Sequence, residues 1–369
     1  MAKDLLTRAL SQALARAKES GELAGEASAE IELQPPRDRR WGDLSTNLPM
    51  VVASAASRTP REVAEIILQH LKLPEGLVAR VEVAGAGFLN FTLSPAWLRG
   101  TVRQVLAEGD RFGCSDEGQG RKLLLEFVSE NPTGPVGVVQ GRAAAIGDTL
   151  AHLFERTGWQ VSREYYVNDA LNSTQVRRFA ETLEARYLQQ LGQEAVVPED
   201  GYQGDYVVGM ANEIVEREGD RYLSMAAEER LDVFTDYFLR MIVESQRRDM
   251  SAFGIEFDTL FFESSLYDGG EVEATIGALK AGGHTYEADD ALWFRATDFG
   301  DEQDQVLVRR DDRPSYLAAD IAYHKNKFDR GFDRLVDIWG PDHHGHVTRL
   351  KAGVQALGYN PEQFEILIH

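Results

Sequence analysis

The segment Leu123-Leu124-Leu125-Glu126-Phe127-Val128 constrains the fold more than any other. It is apolar apart from one carboxylate, too short for a buried helix and without polar alternation, so it reads as a strand covered on both faces, as parallel sheets require. Turn residues Ser129–Val136 follow, rich in Pro and Gly, and helical spacing then runs from about Arg142 to Thr157. Strand, tight turn and helix in that order open a doubly wound sheet of the nucleotide-binding kind, whose ligands lie outside the carboxyl ends of the strands. Val161–Val167, Val306–Val308 and Leu335–Ile338 supply further strands, and residues 172–250 read as long charged helices. A helix is expected from about Val347 to Leu357.

The first 110 residues follow other rules. Leu5, Leu6, Ala9, Leu10, Ala13 and Leu14 stand at helical spacing, and Gly21 ends that helix. A short strand is expected at Ile31–Leu33, before Pro35-Pro36. Thr59-Pro60 with Glu62 forms a helix start: Thr caps, Pro takes the first helical position, and Glu can return a bond to the cap. Val81–Val83 and Phe88–Leu93 read as strands around the Gly85–Gly87 turn. The organisation predicted is a small α+β domain at 1–110, a polar Gly-rich boundary near 108–122, and an α/β domain at 120–369 with an inserted helical region at about 172–290.

Composition excludes several classes. Cys114 stands alone, so no internal disulfide or thiolate zinc cluster can form. No apolar run approaches the ~18 residues of a membrane span, and residues 1–20 interleave Lys, Arg and Glu, so a cytoplasmic protein without membrane association is expected. Against 39 Lys and Arg stand 60 Asp and Glu, a net charge of −21. That opposes nonspecific nucleic-acid binding, although a local basic face such as Arg37, Arg39 and Arg40 can survive on an acidic protein.

Three clusters could carry chemistry. Glu126 and Asn131, at the end of the first buried strand, place a carboxylate and an amide where a ligand ammonium could sit; the alternative is plain turn chemistry in Asn-Pro-Thr-Gly-Pro. Gly340-Pro341-Asp342-His343-His344-Gly345-His346 follows a strand end and invites a metal reading. Adjacent histidines diverge, however, and the helical i, i+4 spacing of zinc sites is missing, so hydrogen bonding to a polar ligand or simple loop structure is preferred and no metal is assigned. Tyr316, Asp320 and His324 share a helix face, either as a binding stripe or as a solvated face with a local Asp–His pair. Phosphate-loop, nucleophile-elbow and His-Glu-x-x-His motifs are missing.

Taken together, the strings LLLEFVSENPTGP (123–135), GRAAAIGDTLAHLFERTGWQVSREYYVNDA (141–170), ALWFRATDFGDEQDQVLVRRDD (291–312) and SYLAADIAYHKNKFDRGFDRLVDIWGPDHHGH (315–346) resemble the class I arginyl-tRNA synthetases in order and spacing. RWGDLSTNLPMVVA (40–53) and GAGFLNFTL (85–93) are similar to that family's N-terminal additional domain, which touches the tRNA elbow. The resemblance implies a Rossmann-like class I catalytic domain behind a small α+β domain. It implies ATP-dependent activation of arginine and its transfer to tRNA-Arg, with Mg²⁺ accompanying ATP, by a monomer. Glu126 and Asn131 would hold the α-amino group; Asp320, Tyr316 and Glu263 would receive the guanidinium; Gly340, Asp342, His343 and His344, with Gly141, would line the ATP side.

Two departures accompany the resemblance. Where the family carries His-x-Gly-His this chain reads Gly137-Val138-Val139-Gln140, so Gly137 and Gln140 occupy the places of phosphate-donating histidines and only Gln140 keeps a donor. The sequence also stops at Phe364–His369, before the family's Lys-Met-Ser-Lys-Ser loop and helical anticodon-binding domain. The expectation is a truncated or divergent ligase with impaired catalysis. Its rivals are a non-catalytic arginine- or tRNA-binding paralogue and, more remotely, a metal-dependent hydrolase built on Asp342, His343, His344 and His346.

Overall fold

The computed structural model describes residues 2–24, 30–129, 131–169 and 174–369. Contacts divide the chain into two units, Met1–Phe112 and Gly113–His369.

The first unit contains α1 (Ala2–Glu19), β1 (Leu44–Thr46), α2 (Leu48–Ala53), α3 (Pro60–His70), β2 (Val78–Ala84), β3 (Phe88–Leu93) and α4 (Pro95–Glu108). Its antiparallel sheet runs β1-β3-β2, and the apolar stripe of α1 packs with α3 and β3 through Leu6, Leu10, Ile67, Leu89 and Phe91. The helix start at Thr59 forms as its residues dictate: the Glu62 amide donates to Thr59 Oγ1 (3.3 Å) and the Thr59 amide donates to the Glu62 carboxylate (2.9 Å). Gly87 closes the β2–β3 turn at φ +133°, where a Cβ would stand 2.8 Å from the Pro60 backbone. The strand expected at Ile31–Leu33 does not form. Pairing there shrinks to one bridge, Gln34 with Ser45, because Pro35 and Pro36 offer no N–H to extend it.

The second unit opens with β4 (Lys122–Glu126), α5 (Val138–Arg156) and β5 (Gln160–Val167). A helical layer of α6 (Thr174–Gln190), α7 (Asp205–Glu218) and α8 (Ala227–Ala252) follows, with its own aromatic core around Phe179, Tyr187, Phe234 and Phe238. The remainder of the 172–290 range returns to the α/β body as β6 (Thr259–Phe262), α9 (Ser264–Asp268), α10 (Glu271–Ala281) and β7 (Thr285–Ala288). Then come β8 (Ala291–Phe294), β9 (Gln305–Val308), α11 (Tyr316–Asp329), β10 (Arg334–Trp339), α12 (Val347–Ala356) and β11 (Phe364–Ile368). Strands β11-β10-β4-β5-β6 form one parallel sheet, and β7-β8-β9 a small antiparallel one. The chain leaves β4 toward β5 and returns on its other side as β10, so the crevice for a ligand opens at the carboxyl ends of β4 and β10. Helix α5 starts before Arg142 because the Gln140 side chain accepts the Gly137 amide (3.2 Å) and closes the new N-terminus. Along α5, a Cβ at Gly147 would stand 2.2 Å from the Phe127 ring, so glycine sets how closely helix and strand approach.

Candidate functional site

Alternation along the parallel strands determines which acids turn inward. Leu123, Leu125 and Phe127 pack with α5, which leaves Leu124 and Glu126 facing α11. On β10, Val336 and Ile338 join the α5 side while Leu335 and Asp337 face α11. The ladder sets Asp337 beside Glu126 and Glu126 beside Glu164, so three buried carboxylates stand in a row across β10, β4 and β5.

Helix α11 answers that row with matching groups. Lys327, with no exposure to solvent, donates to Glu126 and to both Asp337 oxygens (2.8 and 3.0 Å), its ammonium 4.3 Å from the Tyr323 ring. Arg330 donates to both Glu164 oxygens (2.6 and 2.8 Å), and the Tyr323 hydroxyl donates to Oε1 (2.7 Å). His324 places Nε2 2.8 Å from Asp337 and Nδ1 2.7 Å from the Asp320 carbonyl. Burial pushes the Glu126 carboxyl up, with Lys327 pulling it back. Burial would lower the Lys327 ammonium, but Asp337 and Glu126 outweigh it and hold it above the ordinary value. Asp337 is held low by Lys327 and His324 against its own burial.

Above this floor lies a cavity of about 840 Å³. Glu126, Asn131, Glu263, Tyr316 and Asp320 all line it, and so do Gln140 and Gly340. Gly137 and Gly141 are not among its lining residues. The side chains of Asp342, His343 and His344 lie outside the described residues; Gly345 and His346, from the same turn, reach the wall. Among the described residues no three His, Cys, Asp or Glu side chains come together as a metal site.

The cavity is acidic. Glu263 is buried, and burial with the neighbouring Asp320 and Asp169 carboxylates pushes it up to about 7, against a hydrogen bond from Tyr166 that lowers it. Tyr166 is itself pushed well above its ordinary value, by burial first and by Glu263 next. Asp169 fixes the start of α9 by accepting the Ser264 amide (2.9 Å) and hydroxyl (2.7 Å). Asp320 does not pair with His324, its neighbour on the helix face; its carboxylate meets His346 Nε2 at 2.7 Å. Tyr316, Asp320 and His324 all line the cavity, and His324 also ties its ring to Asp337 in the buried row.

A wall of carboxylates with a phenol selects a cation, and the sequence families narrow the choice. Residues 101–369 match the family of class I (R) tRNA synthetase catalytic domains, and residues 4–93 match the arginyl tRNA synthetase N-terminal domain. The chain belongs to the class I arginyl-tRNA synthetase family. An arginine–tRNA ligase from Moorella thermoacetica is 46% identical over 99% of this chain, and one from Shouchella clausii is 44% identical over 96%. The chain spans 65% and 63% of the length of those two relatives. Thermus thermophilus arginyl-tRNA synthetase shares the fold, with a TM-score of 0.72 at 22% identity over 100% of this chain and 66% of that one. No helix among the described residues is long and apolar enough to cross a membrane.

Within this synthetase fold, the loop after β4 is held from the helical layer. Buried Gln246 of α8 donates to the carbonyls of Asn131 (3.3 Å) and Gly134 (2.9 Å) and accepts from the Tyr165 hydroxyl (2.9 Å). The Tyr206 hydroxyl of α7 donates to the Thr133 carbonyl (2.8 Å), and the Asn131 amide donates to Gln175 of α6 (3.1 Å). Val128 and Ser129 precede this loop at φ 71° and 42°, a left-handed pair that is costly for a β-branched residue. The turn brings the Ser129 hydroxyl back onto Glu126 (2.8 Å), where it also accepts the Tyr166 amide (3.2 Å). Sequence reasoning missed Lys327, Asp337, Glu164, Arg330 and Gln246. A signal existed for one of them: Asp337 interrupts an otherwise apolar strand, as Glu126 does.

Proposed function

We propose that the chain binds arginine in this cavity and activates it with ATP for transfer to tRNA. The observation that carries the reading is the approach of Asp320 and Glu263 to one wall beside Tyr316, in a chain of the arginyl-tRNA synthetase family. A planar guanidinium with five donors is met best by carboxylates in forked contact and by a phenol at its edge. Glu126 and Asn131 would hold the α-amino group, and Gly340, Asp342, His343 and His344 would face ATP. Mg²⁺ would arrive with the ATP phosphates. The N-terminal unit would meet the tRNA elbow, with Arg37, Arg39 and Arg40 supplying local positive charge against the −21 of the whole chain. The proposed setting is the cytoplasm, and the proposed state a monomer.

One observation favours the second reading, a non-catalytic arginine- or tRNA-binding paralogue. Gly137, in the place of one phosphate-donating histidine, has no side chain to donate, while Gln140, in the place of the other, keeps an NH2 group and uses its carbonyl to cap α5. Losing one preorganised donor costs about 10²–10³ in rate. Calorimetry with arginine and lysine tests the pocket: arginine should bind and lysine should not, because a point-charge ammonium leaves buried carboxylates unpaired. Equal affinities would remove the arginine reading. Arginine-dependent ATP–pyrophosphate exchange then separates ligase from paralogue.

A further inference from the structure

Fully buried Lys327 lies beneath the cavity and is not among its lining residues, yet it bonds directly to Glu126, which is. The two oxygens of Glu126 are divided between Lys327 on one side and the Ser129 hydroxyl on the other. Lys327 is in turn held by both oxygens of Asp337, and His324 links Asp337 to the backbone carbonyl of Asp320. Asp320 and Lys327 stand seven positions apart on α11, so two helical turns, about 10 Å of axis, separate them on one face. One rigid helix therefore carries both the carboxylate proposed for the guanidinium and the counter-ion of the carboxylate proposed for the α-ammonium.

We infer that Lys327 is a positioning residue for amino-acid recognition: it keeps Glu126 anionic and fixed at the ammonium end of the ligand. A desolvated carboxylate with no cation beside it takes up a proton and ceases to attract an ammonium. Two carboxylates abutting across β4 and β10 would do so all the more, and Lys327 stands between them. The same ammonium, already satisfied by three carboxylate oxygens and an aromatic face, has no need of the ligand. Its effect passes through Glu126 alone. The inference rests on the arginine reading above, and it predicts that Lys327 matters for one end of arginine and not for the other.

The test compares arginine with its desamino analogue, δ-guanidinovalerate, which keeps the guanidinium and carboxylate and lacks the α-ammonium. Calorimetry is run with the unaltered chain and with Lys327→Gln. The variant should bind arginine about 10- to 100-fold more weakly, the loss expected for one charged hydrogen bond, with affinity for the analogue unchanged. Equal loss for both ligands would reduce Lys327 to a structural residue and overturn the inference, as would no loss for either. Should Lys327→Gln fail to fold by circular dichroism, Asp337→Asn serves instead. It leaves Lys327 to Glu126 alone, so the ammonium competes with the ligand, and arginine should again weaken about 3- to 10-fold with the analogue unaffected. Uniform change in that variant overturns the inference equally. An unaltered chain that binds neither ligand would instead sink the arginine reading itself.

Discussion

The two units bury different things. Among the described residues, the first hides only the neutral polar side chains of Thr46, Asn90 and Ser94 within its apolar core. The second hides Glu126, Glu164, Asp169, Glu263 and Asp337, with Lys327 and His324 among them. Net charge follows the same division: residues 1–112 carry 14 Lys and Arg against 14 Asp and Glu, so the whole excess of −21 falls on 113–369. The first unit is a packing solution, in which nearly all inward positions supply apolar contact and none supplies a charge among the described residues. The second accepts desolvation of charges that only close pairing can offset, and does so beneath the cavity proposed for arginine. Buried charge of this kind is weak evidence for stability and good evidence for a site.

Mutations can break that contrast. The largest effect is expected from Glu164→Gln, which unpairs Arg330 and the Tyr323 hydroxyl inside the second unit. It should cost about 3–5 kcal/mol in urea melts and weaken arginine binding. Leu10→Ala, in the core of the first unit, should cost a comparable 2–5 kcal/mol, roughly, yet leave arginine affinity alone. If Leu10→Ala shifts arginine affinity as far as Glu164→Gln does, the division of labour fails. Next in size, Asp320→Asn should weaken arginine by about 10²-fold in calorimetry through loss of a charged contact. Asp43→Asn, whose carboxylate accepts the Leu93 amide in the first unit, should stay within about twofold.

The smallest effect sharpens the picture of the acidic wall. Glu263 is pushed up to about 7 from an ordinary 4.5. Between those values the folded chain holds a proton that the unfolded chain has released, so this group makes stability fall as pH rises through the window. Arginine prefers the ionised form, so its affinity should rise about 5- to 10-fold from pH 6 to pH 7.5, with a proton released on binding. Glu263→Gln should flatten both slopes. Calorimetry in two buffers of different ionisation enthalpy counts the proton, and a flat profile in the unaltered chain would contradict the assignment.

Much of the architecture was legible because its signals are local. The run Leu123–Val128 reads as a covered strand and forms one as far as Glu126, and Thr59, Pro60 and Glu62 spell a helix start without help from the rest of the chain. Tyr316 and Asp320 do share the cavity side of α11, as i, i+4 spacing implies. What failed were readings that depend on the third dimension. His324 has the spacing to pair with the Asp320 carboxylate, but it meets only the Asp320 carbonyl and spends its other ring nitrogen on Asp337 of β10. Lys327 and Arg330 look like ordinary solvated charges near a helix end, and only the register of three strands reveals the acids that they meet. Gln246 sits in a charged helix and shows its role only when the loop after β4 folds onto it.

The row of carboxylates also has a history in time. Lys327 follows Glu126 by 201 residues, Tyr323 follows Glu164 by 159, and Gln246 follows Gly134 by 112. At a synthesis rate of about 5–20 residues per second, the first two strands emerge roughly 10–40 s before the cation that neutralises them. Over that interval Glu126 and Glu164 lack their cations, and water, which a finished parallel sheet would exclude, must stand in for them. Helix α11 thus emerges after the strands it neutralises and just before β10, which brings Asp337 and the next stretch of cavity wall: the sheet can dry, and the pocket take shape, only once both are in place.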